Sequence, residues 1–159
     1  MTQYKNYSLK KYLDSLSAKT PVPGGGSAAA LTACLGLSLL SMVVQYSIGK
    51  SIDVKVENKW VHILKRIEVI NRRCLELVDL DAQAYLNVVK NRQGSVKEKL
   101  KAEVAARKVP REICQLCYKV IELAPFIVVN GNKYLLSDVK VALELLLAAF
   151  NSARVLSKT

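Results

Sequence analysis

The chain has 159 residues, the size of one ordinary domain, and 51% of them are hydrophobic, so it can bury a core without disulfides or structural metals. Glycine and proline are scarce (7 and 4 residues), which favours helices and argues against a low-complexity chain. The net charge of +11 predicts a surface that attracts anions, but it does not distinguish nucleic acid, anionic lipid and a small carboxylate or phosphate ligand.

The first predicted helix begins after Ser8, whose side chain can cap it, and runs to about Ala18. The segment Thr20–Gly26 then breaks any helix. A second helix is predicted from Ala28 to about Ile48, with Ser27 as its cap. This second helix is apolar on every side, so it either lies in a core or crosses a membrane.

We favour the core interpretation, because the second helix carries several polar residues and has no cluster of flanking Lys or Arg. Its small residues allow close helix–helix contact, which suits the centre of a bundle or a dimer interface. The polar residues are Thr32, Ser38, Ser41, Gln45 and Ser47.

A third, long helix is predicted from a repeat with steps of three and four residues. All but one of the repeat positions are apolar, as expected for antiparallel, coiled-coil-like packing. The positions are Trp60, Ile63, Ile67, Ile70, Cys74, Leu77, Asp81, Ala84 and Val88. Asp81 is the exception.

The remaining elements follow from turn and cap residues. Ser95 is predicted to begin another helix, which Pro110 kinks or splits in two. After the loop at Asn130–Asn132, a last helix runs from Ser137, as its cap, to about Val155. The fold class is therefore all-α: a single domain over residues 1–159, with about five to six mostly antiparallel helices and one long central helix hairpin.

Three consecutive glycines in Pro23–Ser27 lead directly into a helix start. Glycines suit a tight bend or a close approach of a ligand, and the free N–H groups of a helix start favour an anion or a carbonyl. The segment has neither the lysine of a phosphate-binding Walker loop nor a preceding strand. A flexible hinge is the alternative interpretation.

Asp81 interrupts the apolar repeat, and a buried carboxylate is costly unless it is paired or hydrogen-bonded. Desolvation would raise its pKa toward the range that is useful for proton transfer. The alternative is a residue that sets helix register or faces a water-filled seam. Asp79 lies off the repeat and is predicted to be solvated.

A third polar group surrounds Asn130–Asn132 and the helix start at Ser137 and Asp138, although turn and cap chemistry also explain it. Cys114 and Cys117 have redox or metal spacing but lie in mid-helix without a second pair.

Further candidate chemistries have weak support. His62 is the only histidine, so we expect neither a His-based metal site nor a Ser-His-Asp triad. The basic residues between Lys97 and Arg111 have no interleaved aromatics and are predicted to form a solvated face, not a nucleic-acid surface. The four cysteines lie in apolar patterns, and the polar amino terminus does not look like a secretory signal, so we expect reduced thiols in the cytoplasm.

In this order, the segments resemble the cyclodeaminase/methenyltetrahydrofolate cyclohydrolase family over nearly the whole chain. The segments are Ser8–Leu9, Thr20–Ala30, Ile48–Lys50, Asp81–Tyr85, Val109–Pro110, Gly131–Asn132 and Ser137–Asp138. The resemblance implies an all-helical homodimer that converts 5-formimino- or 5,10-methenyl-tetrahydrofolate. It implies that Asp81 belongs to the site, and we assign Asp81 the role of general acid/base. The folate reaction requires no metal or redox cofactor, and we expect no nucleic-acid or membrane partner.

The resemblance also implies a set of substrate-binding residues. They are Gly24, Gly25, Gly26, Ser27, Asn132, Ser137 and Asp138, and Lys50 joins them as a cation suited to the glutamate tail of folate.

The sequence departs from the family pattern in two places. It ends at Thr159, short of a further helical segment, and has Leu156 where an asparagine is expected; Ser51–Val56 replaces a basic and aromatic segment. These departures leave alternatives open: a catalytically inactive folate-binding protein, or a helical dimerisation or interaction protein that uses Ala28–Ile48. A nucleic-acid binder is a further alternative.

Overall fold

A computed structural model describes residues 2–158 and contains, within that range, only helices, turns and loops. The α-helices are α1 (Leu9–Ser17), α2 (Gly25–Gln45), α3 (Val54–Lys90), α4 (Val96–Ile121), α5 (Ala124–Asn130) and α6 (Leu136–Lys158). Short 3-10 turns cover Tyr4–Asn6 and Lys133–Leu135. The predicted all-α bundle is confirmed.

The apolar helix α2 packs along both α3 and α6, so it lies inside the bundle. It runs antiparallel to α6: Gly25 lies beside Leu156, and Gly36 lies against Ala142 and Leu146. Among the described residues, α2 is the one helix with the length and hydropathy of a membrane span, and more than half of it is buried against its neighbours.

Helices α3 and α4 form the predicted long antiparallel hairpin. The guanidinium of Arg73 on α3 donates two hydrogen bonds to the carboxylate of Glu112 on α4, at 2.6 and 3.0 Å. Ser95 and Glu98 form a reciprocal capping box at the start of α4. The hairpin therefore turns where the polar segment before Ser95 predicts a turn.

Pro110 does not split α4, so that part of the prediction is wrong. The helix is continuous through Pro110, which loses one backbone hydrogen bond but is buried together with Val109 and Ile113. Apolar packing on both sides of the proline holds the two halves of α4 in one helix.

Two predicted caps are also wrong. Helix α2 begins at Gly25 with extended Gly24 as its cap, and Ser27 is fully buried in the first turn. Ser137 lies inside α6, because the chain enters that helix from the 3-10 turn that Asn132 caps. The predicted Asp138 in the first turn of α6 is confirmed.

Asp79 is buried, with 5% of its surface exposed, whereas solvation was expected. The amino-terminal 3-10 turn covers it, and the backbone N–H of Lys5 donates to its carboxylate at 3.2 Å. Periodicity along α3 does not reveal a covering segment from another part of the chain.

The apolar repeat of α3 packs as predicted over its first two thirds, where every position from Trp60 to Leu77 is buried. Its last three positions, Asp81, Ala84 and Val88, are only half-buried. The seam therefore opens at Asp81 instead of closing around it.

Candidate active site

The opening of the seam forms a cavity of about 540 Å³. It lies between the start of α2, the last third of α3, the first half of α4 and the end of α6. The lining residues are Val22, Gly24, Gly25, Gly26, Asp81, Ala84, Tyr85, Val88, Glu103, Ala106, Arg107, Pro110 and Leu156. A cavity of this volume accommodates an organic ligand of a few hundred daltons.

Asp81 caps the first turn of α2 from a different helix. The backbone N–H of Ser27, one of the amides that a helix start leaves without an intrahelical acceptor, donates to Oδ2 of Asp81 at 2.9 Å. The positive end of the α2 dipole therefore meets the carboxylate. Gly24 supplies no side-chain cap of its own.

Glycine is required at position 26 because a side chain there would occupy the place of the carboxylate. A Cβ added to Gly26 would overlap Oδ1 and Cγ of Asp81. Gly24, by contrast, has no neighbouring atom within 4 Å of such a Cβ, so open space faces it. Gly26 therefore leaves space for the carboxylate of Asp81, and Gly24 leaves space for a ligand.

The environment of Asp81 suits proton exchange. Burial raises the pKa of its carboxyl group above the ordinary value of 3.8, and the hydrogen bond from the Ser27 amide partly opposes that rise. The carboxyl group nevertheless lines the cavity and is accessible to a ligand. A half-buried acid with a raised pKa is suited to act as a general acid or base.

Three polar side chains of the cavity were missed by sequence reasoning: Tyr85, Glu103 and Arg107. Glu103 and Arg107 are one turn apart on α4; Arg107 was assigned to a solvated basic face, and Glu103 was not predicted to be a site residue. The hairpin supplies a signal that could have found them. Counting forward along α4 from the turn before Ser95, by the number of residues that separates Asp81 from that turn, reaches the positions around Glu103 and Arg107.

The other predicted binding residues, Lys50, Asn132, Ser137 and Asp138, lie at the opposite end of α2. Ser47, just after that end, accepts a hydrogen bond from the backbone N–H of Asn132 at 3.1 Å. Helix α2 has 21 residues, which corresponds to roughly 30 Å. Within one chain the structure brings Asp81 to Gly24–Ser27 but does not bring these four residues to Asp81.

The four cysteines are poorly placed to bind a metal ion. Burial raises the pKa of the Cys34, Cys74 and Cys117 thiols to about 12, so these thiols stay protonated at neutral pH. Cys114 donates to the carbonyl of Phe150 at 3.5 Å. Within residues 2–158, no three or more His, Cys, Asp or Glu side chains are arranged to hold a metal ion.

Comparison with known proteins relates this geometry to a family. Residues 8–158 match the family model described as formiminotransferase-cyclodeaminase. A methenyltetrahydrofolate cyclohydrolase from Methylorubrum extorquens is 33% identical over 161 residues, covering 93% of this chain and 76% of that protein. A formimidoyltransferase-cyclodeaminase from Rattus norvegicus is 30% identical over 149 residues, covering 85% of this chain but 27% of the rat protein.

Similarity extends to a solved structure. The crystal structure of formiminotetrahydrofolate cyclodeaminase from Thermotoga maritima matches with a TM-score of 0.93 and 25% sequence identity. The match covers 97% of this chain and 78% of that chain.

Proposed function

This chain belongs to the formiminotransferase-cyclodeaminase family, and from that membership and the Asp81 cavity we propose that it catalyses cyclodeamination of 5-formiminotetrahydrofolate or hydrolysis of 5,10-methenyltetrahydrofolate. The observation that carries the proposal is the carboxyl group of Asp81, held by the Ser27 amide at the wall of a ligand-sized cavity.

The two reactions share one chemical problem. Each substrate presents a carbon between two nitrogens, and a nucleophile adds to that carbon to give a tetrahedral intermediate. In cyclodeamination N10 attacks the formimino carbon and ammonia leaves, which closes the 5,10-methenyl bridge. In hydrolysis water adds to the bridge carbon, the bond to N5 breaks, and 10-formyltetrahydrofolate forms.

Asp81 supplies the proton transfers that both reactions need. As a carboxylate it accepts the proton of the attacking N10 or water, and as the acid it returns a proton to the departing nitrogen. Its carboxylate also pairs with the positive charge that the carbon between two nitrogens carries in both substrates. A positioned acid/base of this kind contributes typically ~100- to 10,000-fold to the rate.

The rest of the cavity suits the uncharged and anionic parts of a folate. The open backbone at Gly24 and the start of α2 can donate N–H groups to a ring carbonyl or a carboxylate. Arg107 supplies a cation on the α4 wall, and Leu156 and Val88 supply apolar surface for the rings.

We further propose that the enzyme is a homodimer. In this dimer the carboxyl-terminal end of α2 in one subunit, with Lys50, Asn132 and Asp138 beside it, would lie against the Asp81 cavity of the other subunit. Helix α2 keeps a partly exposed apolar stripe that includes Leu31 and Leu35. Two copies of α2 packed antiparallel along that stripe about a two-fold axis would bring opposite ends together. This arrangement supports a role for residues that the single chain keeps apart.

The proposed activity is tested by replacing Asp81→Asn and following methenyltetrahydrofolate absorbance and ammonia release. We expect the wild type to be active and the variant to lose ~100-fold or more in kcat, because an amide cannot exchange the proton. Asp79→Asn is the matched control: it is the same substitution two residues away, at a carboxyl group that faces the amino-terminal turn.

The outcomes separate the alternatives. Full activity in Asp81→Asn removes the acid/base role of Asp81. If calorimetry shows that the wild type binds a tetrahydrofolate derivative but no turnover is detected, the chain is a folate-binding protein and not an enzyme. If the chain dimerises and has no affinity for folate, it is an interaction protein.

A further inference from the structure

Tyr12 is the one buried residue of α1, with 4% of its surface exposed, and its hydroxyl group contacts the start of α2. The hydroxyl shares a hydrogen bond of 3.0 Å with Oγ of Ser27, and Ser27 is fully buried. The same serine donates its backbone N–H to Asp81. A continuous path of two hydrogen bonds therefore joins Tyr12 to the candidate catalytic carboxyl group through one residue.

Ser27 needs external support because the backbone around it is unusually free. Gly24, Gly25 and Gly26 precede it, and glycine loses more conformational freedom on folding than any other residue. The first-turn N–H groups have no intrahelical acceptors, so the helix ladder alone does not fix their direction. The side chain of Ser27 is the anchor of this turn, and Tyr12 holds it.

We infer that Tyr12 is a positioning residue for the reaction, which locks the first turn of α2 through Ser27 so that the Ser27 amide stays aimed at Asp81. The inference rests on the proposed function for its kinetic consequences. Its structural content, that the Tyr12 hydroxyl controls the ionisation of Asp81, does not depend on which substrate the protein takes.

The other groups that face Asp81 are distinct from this path. Tyr85 lies one turn further along α3, and Glu103 and Arg107 lie on the α4 wall of the cavity. The Ser27 amide lowers the pKa of Asp81 against the rise that burial causes. Loss of a well-aimed amide therefore raises the pKa of Asp81 further, while the charges on α3 and α4 stay the same.

Tyr12→Phe tests the inference, because it keeps the buried ring and removes only the hydroxyl group. We expect the pKa of Asp81, followed by NMR of its carboxyl carbon, to rise by roughly half a pH unit or more. We expect kcat to fall about tenfold with little change in KM, and the acid limb of the kcat profile to move to higher pH by the same amount.

Two further variants make the test specific. Ser27→Ala breaks the same path and should reproduce the shift, and the double variant should be no worse than either single one, because coupled residues are not additive. Tyr7→Phe is the matched control: this ring packs against Tyr4 and Lys11, and the pKa of Asp81 should not change.

An unchanged Asp81 pKa in Tyr12→Phe, or additive effects of Tyr12→Phe and Ser27→Ala, would overturn the inference. So would a fall in kcat with no movement of the acid limb, since a merely structural tyrosine gives that result. Thermal unfolding of each variant checks that it is folded. If the wild type turns over no folate, the proposed function fails, yet the NMR titration still decides the role of Tyr12.

Discussion

Asp81 is an acid that the fold keeps at a cost to stability. Its carboxyl group is half-buried between helices, accepts a hydrogen bond from one backbone amide and still faces the cavity. Gly26 makes that position possible by having no side chain at the place the carboxylate occupies. Functional sites commonly retain such unfavourable burial because the reaction uses the perturbed group.

The pH dependence of stability should reveal this cost. The pKa of Asp81 is raised in the folded state, so the folded protein holds this proton more tightly than the unfolded chain does. The contribution of Asp81 is then most favourable below the ordinary pKa of 3.8 and is lost as pH rises through the raised value. At neutral pH the ionised group lowers the free energy of unfolding.

We therefore expect Asp81→Asn to be more stable than the wild type at pH 7, and the difference to shrink as pH approaches 4, because the amide never ionises and can still accept from Ser27. Urea unfolding at a series of pH values measures this. A variant that is no more stable than the wild type at pH 7 would contradict a raised pKa at Asp81.

Among the helices, the contact between α2 and α6 depends on a second glycine. A Cβ at Gly36 would lie 2.8 Å from the carbonyl oxygen of Ala142 and 2.9 Å from Cγ of Leu146. The carbonyl oxygen of Ala142 belongs to the backbone of α6, so it cannot move away from the added methyl group as a flexible side chain could. Because Leu156 of α6 lines the cavity and lies beside Gly25, this contact also sets the position of one cavity wall.

Gly36→Ala should therefore separate α2 from α6 and lower the free energy of unfolding by about 1–3 kcal/mol, despite the better helix propensity of alanine. Gly25→Ala on the same helix is the matched control, because its Cβ would meet only Leu156 Cδ1 at 3.8 Å. Chemical denaturation of both variants measures the difference. Equal stabilities would show that the α2–α6 contact tolerates a methyl group.

For the molecule as a whole, the two predicted polar clusters lie too far apart to form one site within a single chain. One predicted cluster lies at the start of α2 and the other at its end, and the packing of α2 against α6 and α3 holds them apart. A rigid helix cannot bend to unite them. In the two-fold dimer that we propose, both clusters would contribute to the same cavity.

Co-expression of two differently tagged inactive variants tests this proposal. Asp81 lies beside the start of α2, and Asp138 lies near its other end. In the proposed dimer each site combines Asp81 of one subunit with Asp138 of the other, so a heterodimer of Asp81→Asn and Asp138→Asn would contain one intact site and one site with both substitutions. We expect each variant alone to be inactive and the co-expressed mixture to recover about a quarter of the wild-type activity, given random pairing.

The control for this experiment pairs Asp81→Asn with the double variant, which cannot restore an intact site and should give no activity. Activity of Asp138→Asn alone, or no recovery in the mixed dimer, would mean that the partner's end of α2 takes no part in the site.

Local patterns along the chain were enough to predict most of the fold. Apolar periodicity identified the long α3 and its buried residues from Trp60 to Leu77, and side-chain chemistry correctly identified Ser8 and Ser95 as caps. The same periodicity singled out Asp81, because one carboxylate in an apolar stripe is costly. These features are encoded within a few helical turns, so a single sequence contains them.

Contacts between distant segments could not be predicted in this way. The amino-terminal turn buries Asp79, and Tyr12 reaches Ser27 from another helix. Separations of tens of residues along the chain leave no periodic signal. Helix periodicity states which side of a helix is buried, whereas the partner that covers it depends on how the helices pack in three dimensions.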